Sequence, residues 1–342
     1  MIYLLILLAI KACLMVWAIL HAGIGLGPDE AQYWTWSQQL DWGYYSKPPG
    51  IAWQIWLGTQ FFGNTELGVR SSAVVFGFIL PLLIYVLAKN CRLKPSTCFW
   101  SGAVMALSPM GVLASFLAIT DGGMILFWTA TCAYLASALE HQRTPNYLIV
   151  GFLILCGALF KWPIYFLWIF VLLWFPNWKI ILGVAVSLIA LLPSIYWNST
   201  HDWVTFRHVW TTMIGGHPKE IGTTPIPQGN FWEFLGSQAL LLSPIIFFIL
   251  LFAFGWMLWK RNELKPSLRF CAWVSLGILI VAAFASIFMK IQGNWCLFAY
   301  PTAVVFLSWY ACEKVNGTSV LVIGLVLSVV LCVFGSNVML WL

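Results

Sequence analysis

Apolar positions in this chain do not alternate with polar ones; they run on without interruption. Eleven such runs occur, at about 2–24, 69–88, 97–116, 123–139, 147–160, 163–175, 180–197, 232–259, 270–289, 295–311 and 318–341. A hydrocarbon core about 30 Å thick needs roughly 20 apolar residues in a helix, so the pattern predicts an all-α polytopic membrane protein of about eleven spans. The fifth and sixth runs are short and read equally as a re-entrant pair. The polar positions gather in three connecting segments, 25–68, 117–122 and 198–231. The first is long enough for two short interfacial helices, 29–40 and 50–62, parted by Pro48-Pro49-Gly50.

Composition sharpens the membrane assignment. Hydrophobic side chains make up 61% of the 342 residues and charged ones 8%, against about 25% charged in ordinary globular proteins. No internal repeat appears, and the chain reads as one domain over 1–342, with no C-terminal soluble domain after the last run. Its nine cysteines fall mostly within or beside apolar runs and read as small hydrophobes rather than a disulfide framework.

Charge orients the spans. Lys89, Arg92, Lys94, Arg143, Lys179, Lys260, Arg261, Lys265, Arg269 and Lys314 fall in loops of one side; Lys47, Arg70, Lys161, Arg207, Lys219 and Lys290 fall on the other. The first face is therefore expected to be cytoplasmic. Acids are distributed the opposite way, with Asp29, Glu30, Asp41, Glu66, Asp121, Asp202, Glu220 and Glu233 on the outer face. Lys11, inside the first run, reads as a snorkelling lysine or one with a polar interior partner.

The stretch "GPDEAQYWTWSQQLDWGYYSKPPG", Gly27 to Gly50, sets three carboxylates among six aromatic rings. Pro28 followed by Asp29 and Glu30 has the form of a helix start, and the rings have the form of an interfacial belt. A belt gives no reason for Asp121, which sits in the tight turn "AITDGGM" at the same level. Carboxylates at one level suit acid/base or metal-assisted work on a polar substrate. Lys47, Lys161 and Arg207 add cations suited to a phosphate, although Lys161 taken alone, at the outer end of a span, reads first as a snorkelling residue. His201, His208 and His217 match no metal-ligand spacing. Neither a phosphate-binding glycine loop nor a nucleophile elbow is present.

These segments resemble the bacterial GT-C glycosyltransferases related to protein O-mannosyltransferases, the group that includes the lipid A aminoarabinose transferase. "PDEAQYWTWSQQLDWGYYSKPPGIAW" is similar to the first acidic motif and "AITDGGMILFWTA" to the second. "LFKWPIYFLW", "HDWVTFRHV" and "NWCLFAYPTAVVF" follow in the family's order. The resemblance implies transfer of a sugar from a polyprenyl-phosphate donor to a lipid or protein acceptor, in cell-envelope or lipopolysaccharide modification. It implies a bacterial inner membrane location with the active site facing the periplasm, and no role for nucleic acid. It places the family's two acidic positions on Asp29 and Asp121 and its phosphate-facing lysine on Lys47; with these go Glu30 as a further candidate catalytic acid, Arg207 and Lys161 as candidate donor-phosphate contacts, and Tyr33, Tyr44, Tyr45 and Trp295 as candidate substrate contacts. Ser46 stands where the aminoarabinose transferase has an acidic metal ligand, so a divalent metal stays an open question, with Glu30, Asp121 and His217 as candidate ligands. The rival class is a transporter or flippase of lipid-linked sugars, for which charges near the bilayer midplane are expected.

Overall fold

The computed structural model describes residues 1–214 and 229–341. The described residues form seventeen α-helices and no strand. The first seven are α1 (Ile2–His21), α2 (Pro28–Ser37), α3 (Gly50–Phe62), α4 (Glu66–Asn90), α5 (Pro95–Leu107), α6 (Pro109–Leu113) and α7 (Thr120–Glu140). After α8 (Tyr147–Ala158) come α9 (Leu167–Trp174), α10 (Ile180–Leu188), α11 (Leu191–Ser199) and α12 (Val204–Ile214). The chain ends with α13 (Phe231–Leu242), α14 (Pro244–Lys260), α15 (Pro266–Phe288), α16 (Tyr300–Trp309) and α17 (Thr318–Trp341).

Among the described residues six helical stretches are long and apolar enough to cross a membrane, or seven if α10 and α11, bent by 41°, count as one. Several predicted runs are broken. The run 97–116 stops at Ser108, whose hydroxyl caps α6 by accepting from Gly111 N. The run 232–259 is two helices meeting at Ser243, where φ is +83° and Pro244 begins α14. Proline lacks the N–H that an uninterrupted helix would use, so each break falls where a proline starts the next segment.

The short apolar helices nevertheless join the same two ends of the molecule. Asn146 N, just before α8, donates to the Tyr134 hydroxyl on the distal half of α7 (2.9 Å). Lys161, just after α8, reaches Asp121 in the first turn of α7. The chain then returns through a 3₁₀ turn, Trp162–Phe166, and α9 to Phe175, whose carbonyl accepts from the Tyr147 hydroxyl (2.8 Å). α10 and α11 lead back to Asn198, which holds Thr205 beside Tyr44. Segments 147–158, 162–174 and 180–199 thus each connect the two ends; none doubles back on itself.

α7 is the central helix. It packs against α4, α8 and α15, and Trp128 in its middle is fully buried against Phe298. Lys11 of α1 is buried and donates to the Gly111 carbonyl (2.9 Å), which is the polar-partner reading of that residue. The two helices expected in the first polar loop are present as α2 and α3.

Candidate active site

α2 starts as its sequence predicts. Gly27 is extended, Pro28 opens the helix, and Glu30 in the first turn accepts from Gly27 N (3.1 Å). The same carboxylate is buried and takes Arg70 Nε (3.0 Å), Arg70 Nη2 (2.7 Å) and Ala118 N (2.9 Å). Arg70, also buried, donates further to the carbonyls of Ile24 and Gly25 and lies 4.4 Å from the centre of the Phe116 ring. Glu30 was expected among the catalytic acids and metal candidates. Its four hydrogen bonds instead make it a strut tying α2 and α4 to the strand of chain that precedes Asp121, with its acceptor sites occupied.

Asp29 is one residue earlier and exposed, at the N-terminus of α2. Asp121 occupies the matching position on α7, nearly buried, and holds Lys161 through both oxygens (2.8 and 3.0 Å). The side chains are 5% and 19% exposed, so the pair is largely shielded from water. Lys161, expected at the donor phosphate, is thus engaged by an acid.

Tyr33 and Lys47 complete the group. Burial raises the Tyr33 phenol above its ordinary range, and Asp29 and then Asp121 raise it further, so the hydroxyl stays protonated between two carboxylates. Lys47 is half-buried. Burial and then Lys161 lower its pKa, while Asp121 and Asp29 oppose them. Its ammonium has no hydrogen bond or ion pair among the described residues. Two docking contacts bring Lys47 to this place. Tyr44 N donates to the Lys47 carbonyl (3.2 Å), and Gly50 N donates to the Leu159 carbonyl (2.8 Å), two residues before Lys161. A Cβ on Gly50 would lie 2.6 Å from that oxygen, so glycine permits the close approach.

The remaining candidates separate. Tyr44 was expected to touch substrate, but it is buried and stacked on Trp36 (4.9 Å); its hydroxyl accepts from Asp41 N and shares its one proton between the Trp36 and Gln39 carbonyls. It shapes the loop. Tyr45 is exposed and lies against His208 (4.9 Å). Arg207 is exposed on α12, which is docked by Thr205 Oγ1 donating to the Tyr44 carbonyl (2.9 Å) and by the Trp162–Phe206 stack (5.4 Å). Trp295, on a 3₁₀ helix (Gly293–Ala299), donates to Gln292 Oε1 within its own turn (3.2 Å). His217 lies outside the described residues, among which no three His, Cys, Asp or Glu side chains converge for a metal ion. Of the metal candidates, Glu30 is engaged by Arg70 and Asp121 by Lys161, so neither carboxylate is free to coordinate without leaving a cation behind.

Two structural residues were missed. Arg70 was read only as a topological charge, although an arginine four residues into an apolar helix signals a buried partner. Asp41 was read only as an outer acid; it takes Trp197 Nε1 (2.9 Å) from α11 and Trp42 N (2.7 Å), joining the first loop to the α11–α12 corner.

With this geometry in view, residues 46–197 match the model of the family described as dolichyl-phosphate-mannose-protein mannosyltransferase. Over that segment, somewhat less than half of its length, the chain is similar to this family. It is 31% identical over 297 residues to the lipid A galacturonosyltransferase RgtD of Rhizobium johnstonii, covering 82% of this chain and 59% of that protein. It therefore spans about three fifths of the length of that relative. The GT-C fold is shared with ArnT from Cupriavidus metallidurans bound to undecaprenyl phosphate, at a TM-score of 0.66 and 18% identity over 93% of this chain and 62% of ArnT. The Archaeoglobus fulgidus oligosaccharyltransferase aligns over 99% of this chain and 55% of its own, at a TM-score of 0.56 and 12% identity. The family match begins at Ser46, so it takes in Lys47, Asp121 and Lys161 but not Asp29.

Proposed function

We propose that this chain is a glycosyltransferase that moves a sugar from a polyprenyl-phosphate donor to a lipid acceptor of the lipid A type, at the periplasmic face of a bacterial inner membrane. The observation that carries the reading is Lys47, a half-buried ammonium without an ion-pair partner among the described residues, within electrostatic reach of Asp29 and the Asp121–Lys161 pair. A partly desolvated cation gains most from a phosphate brought in by a membrane-borne donor. ArnT was solved with undecaprenyl phosphate and RgtD is named for transfer to lipid A, which favours this donor and acceptor over other pairs.

The chemistry follows from these positions. As the bond between the anomeric carbon and the phosphate oxygen breaks, its electron pair goes to the leaving phosphate, where Lys47 offsets the developing charge. The acceptor hydroxyl forms the new bond to the anomeric carbon, and Asp29, exposed and without an ion pair among the described residues, takes its proton. Lys161 keeps Asp121 in place rather than meeting the substrate directly. Tyr33, held protonated, is a donor of hydrogen bonds within the same space.

The polar groups of the site collect at one end of the bundle, which favours an enzyme of the interface over a transporter. The deciding assay uses protein reconstituted with lipid A and either a polyprenyl-phosphate sugar, a galacturonosyl donor first, or the corresponding nucleotide sugar. Transfer is expected from the lipid donor alone. Lys47→Met is expected to lower it roughly ten- to hundredfold, since a hydrogen bond to a charged group contributes about 1.5–3 kcal/mol. Transfer from the nucleotide sugar alone would overturn the proposal.

A further inference from the structure

We infer that the cleft at the distal end of α7 binds the headgroup of an anionic phospholipid. α7 has 21 residues, which at 1.5 Å per residue puts this cleft about 30 Å from Asp121, on the opposite membrane face. The cleft has a volume of about 380 Å³, within the usual range of roughly 300–1,000 Å³ for small-ligand sites. It opens where the turn after α7 meets the connection between α9 and α10. Arg143, Gln142 and Asn177 supply its polar lining and Trp174, Phe175 and Tyr147 its rings.

The walls are fixed to each other. The Tyr147 hydroxyl donates to the Phe175 carbonyl (2.8 Å), and Asn177 Oδ1 accepts from Lys179 N (3.0 Å), which leaves the Asn177 amide donors for a ligand. Trp174 is packed edge-on to Phe270 and has the Arg269 guanidinium 5.4 Å from its ring centre. Arg143 makes one long bond, from Nη2 to the Ser137 hydroxyl (3.4 Å).

Arg143 lines the cleft, Arg269 stands against its Trp174 wall, and no carboxylate is among the described residues that line it. Loop cations on this face are expected from topology alone, and three others, Arg92, Lys260 and Lys314, do pair with carboxylates. Those around the cleft take no carboxylate among the described residues. Glu140, the closest acid in sequence, is held by Arg92 and the Ser267 hydroxyl. A cleft with one arginine in its lining, a second against its aromatic wall and no acid in that lining selects an anion with an apolar neighbour.

The surroundings identify that neighbour as lipid. Leu172, Leu173, Trp178, Ile181 and Leu182 on α9, α10 and their connection are exposed, forming an apolar surface that continues from the cleft lip. An occupant with acyl chains would lay them along this surface while its phosphate meets Arg143. A soluble phosphate would leave it unused.

The test uses the full chain in detergent micelles doped with phosphatidylglycerol, phosphatidylcholine or soluble glycerol 3-phosphate, with retained lipid counted by native mass spectrometry and thermal stability followed. Phosphatidylglycerol is expected to be retained and to stabilise, and phosphatidylcholine and glycerol 3-phosphate to do neither. Arg143→Gln and Arg269→Gln should each weaken retention roughly fivefold, the amount that about 1 kcal/mol per basic residue implies. Lys94→Gln, which removes an equal charge from the same face away from the cleft, should leave it unchanged. Equal loss in Lys94→Gln would reduce the effect to diffuse surface attraction, and equal stabilisation by glycerol 3-phosphate or phosphatidylcholine would exclude an anionic lipid site; either result overturns the inference. If a Gln variant fails to accumulate, a photoreactive probe on Gln142→Cys should label phosphatidylglycerol in preference to phosphatidylcholine, and indifferent labelling overturns it as well. None of these readouts depends on glycosyl transfer.

Discussion

Asp29 and Glu30 are adjacent and differ by one methylene, yet about 100° of helical rotation sends one toward solvent and the other against Arg70. Their substitutions should therefore fail in different ways. Asp29→Asn is expected to leave abundance and thermal stability unchanged while transfer falls by about 10²–10⁴, the usual loss for a general base. Glu30→Gln leaves the Arg70 charge buried without its partner, at a cost of about 3–5 kcal/mol, and should lower the unfolding temperature in detergent. Near-normal turnover in Asp29→Asn would remove it from the base role. Sequence showed both acids but could not rank them, because helical phase relative to α4 is a tertiary property. The Asp121–Lys161 pair was unreadable for a related reason: its partners are forty residues apart in the chain. Lys47 makes a prediction in pH. Burial and Lys161 lower its pKa, so its ammonium is lost at lower pH than that of a solvated lysine, and donor capture should fail on the alkaline side. A bound phosphate holds the proton, so the alkaline limb should lie at lower pH in kcat/KM than in kcat. Lys47→Arg, which keeps its charge, should abolish the limb in both profiles. Profiles unchanged by Lys47→Arg would assign the limb to another group.

The elements carrying these residues depend on short joints between helices. Gly50 joins α3 to the end of α8, and Gly123, in the first turn of α7, lies against Phe160, where a Cβ would come within 2.4 Å of the ring. At Gly50 the obstructing atom is a backbone oxygen, which cannot rotate away. Gly50→Ala is expected to cost about 1–3 kcal/mol and to shift Lys47 away from Lys161. Transfer should fall more than protein abundance, measured side by side in membranes; equal falls would mean that the joint serves stability alone. Element identity was readable in part, from the apolar runs and from Pro28 as a helix start; Pro109 and Pro244 also open helices but lie inside runs read as continuous. The bend between α10 and α11 was passed over, although Pro193 signals it: proline has no N–H to donate to the Ile189 carbonyl four residues back. The division at Ser243 escaped notice because its support is remote: Ser243 Oγ donates to the Gly324 carbonyl of α17.

At the scale of the molecule, acids and bases separate along the bundle axis, and this separation is what gives the site a side. Asp29, Asp121 and the first polar loop share one end. At the other, Arg92 meets Glu140 and Glu263 takes both Lys260 and Lys314. The connections through α8, α9 and the α10–α11 pair preserve this division even though each is short or bent, which is why hydropathy alone gave their number less securely than their direction. By the positive-inside rule, the excess of basic residues at the second end is the ground on which we propose that it faces the cytoplasm. The corresponding experiment is single-cysteine labelling of intact cells in a Cys-free background with a membrane-impermeant reagent. Thr200→Cys, exposed after α11, should label from outside; Asn262→Cys, exposed in the turn after α14, should label only after the membrane is opened. The reverse pattern would put Lys47 and Asp29 on the cytoplasmic face, where nucleotide sugars are available, and the argument for a lipid-borne donor would then rest on Lys47 chemistry alone.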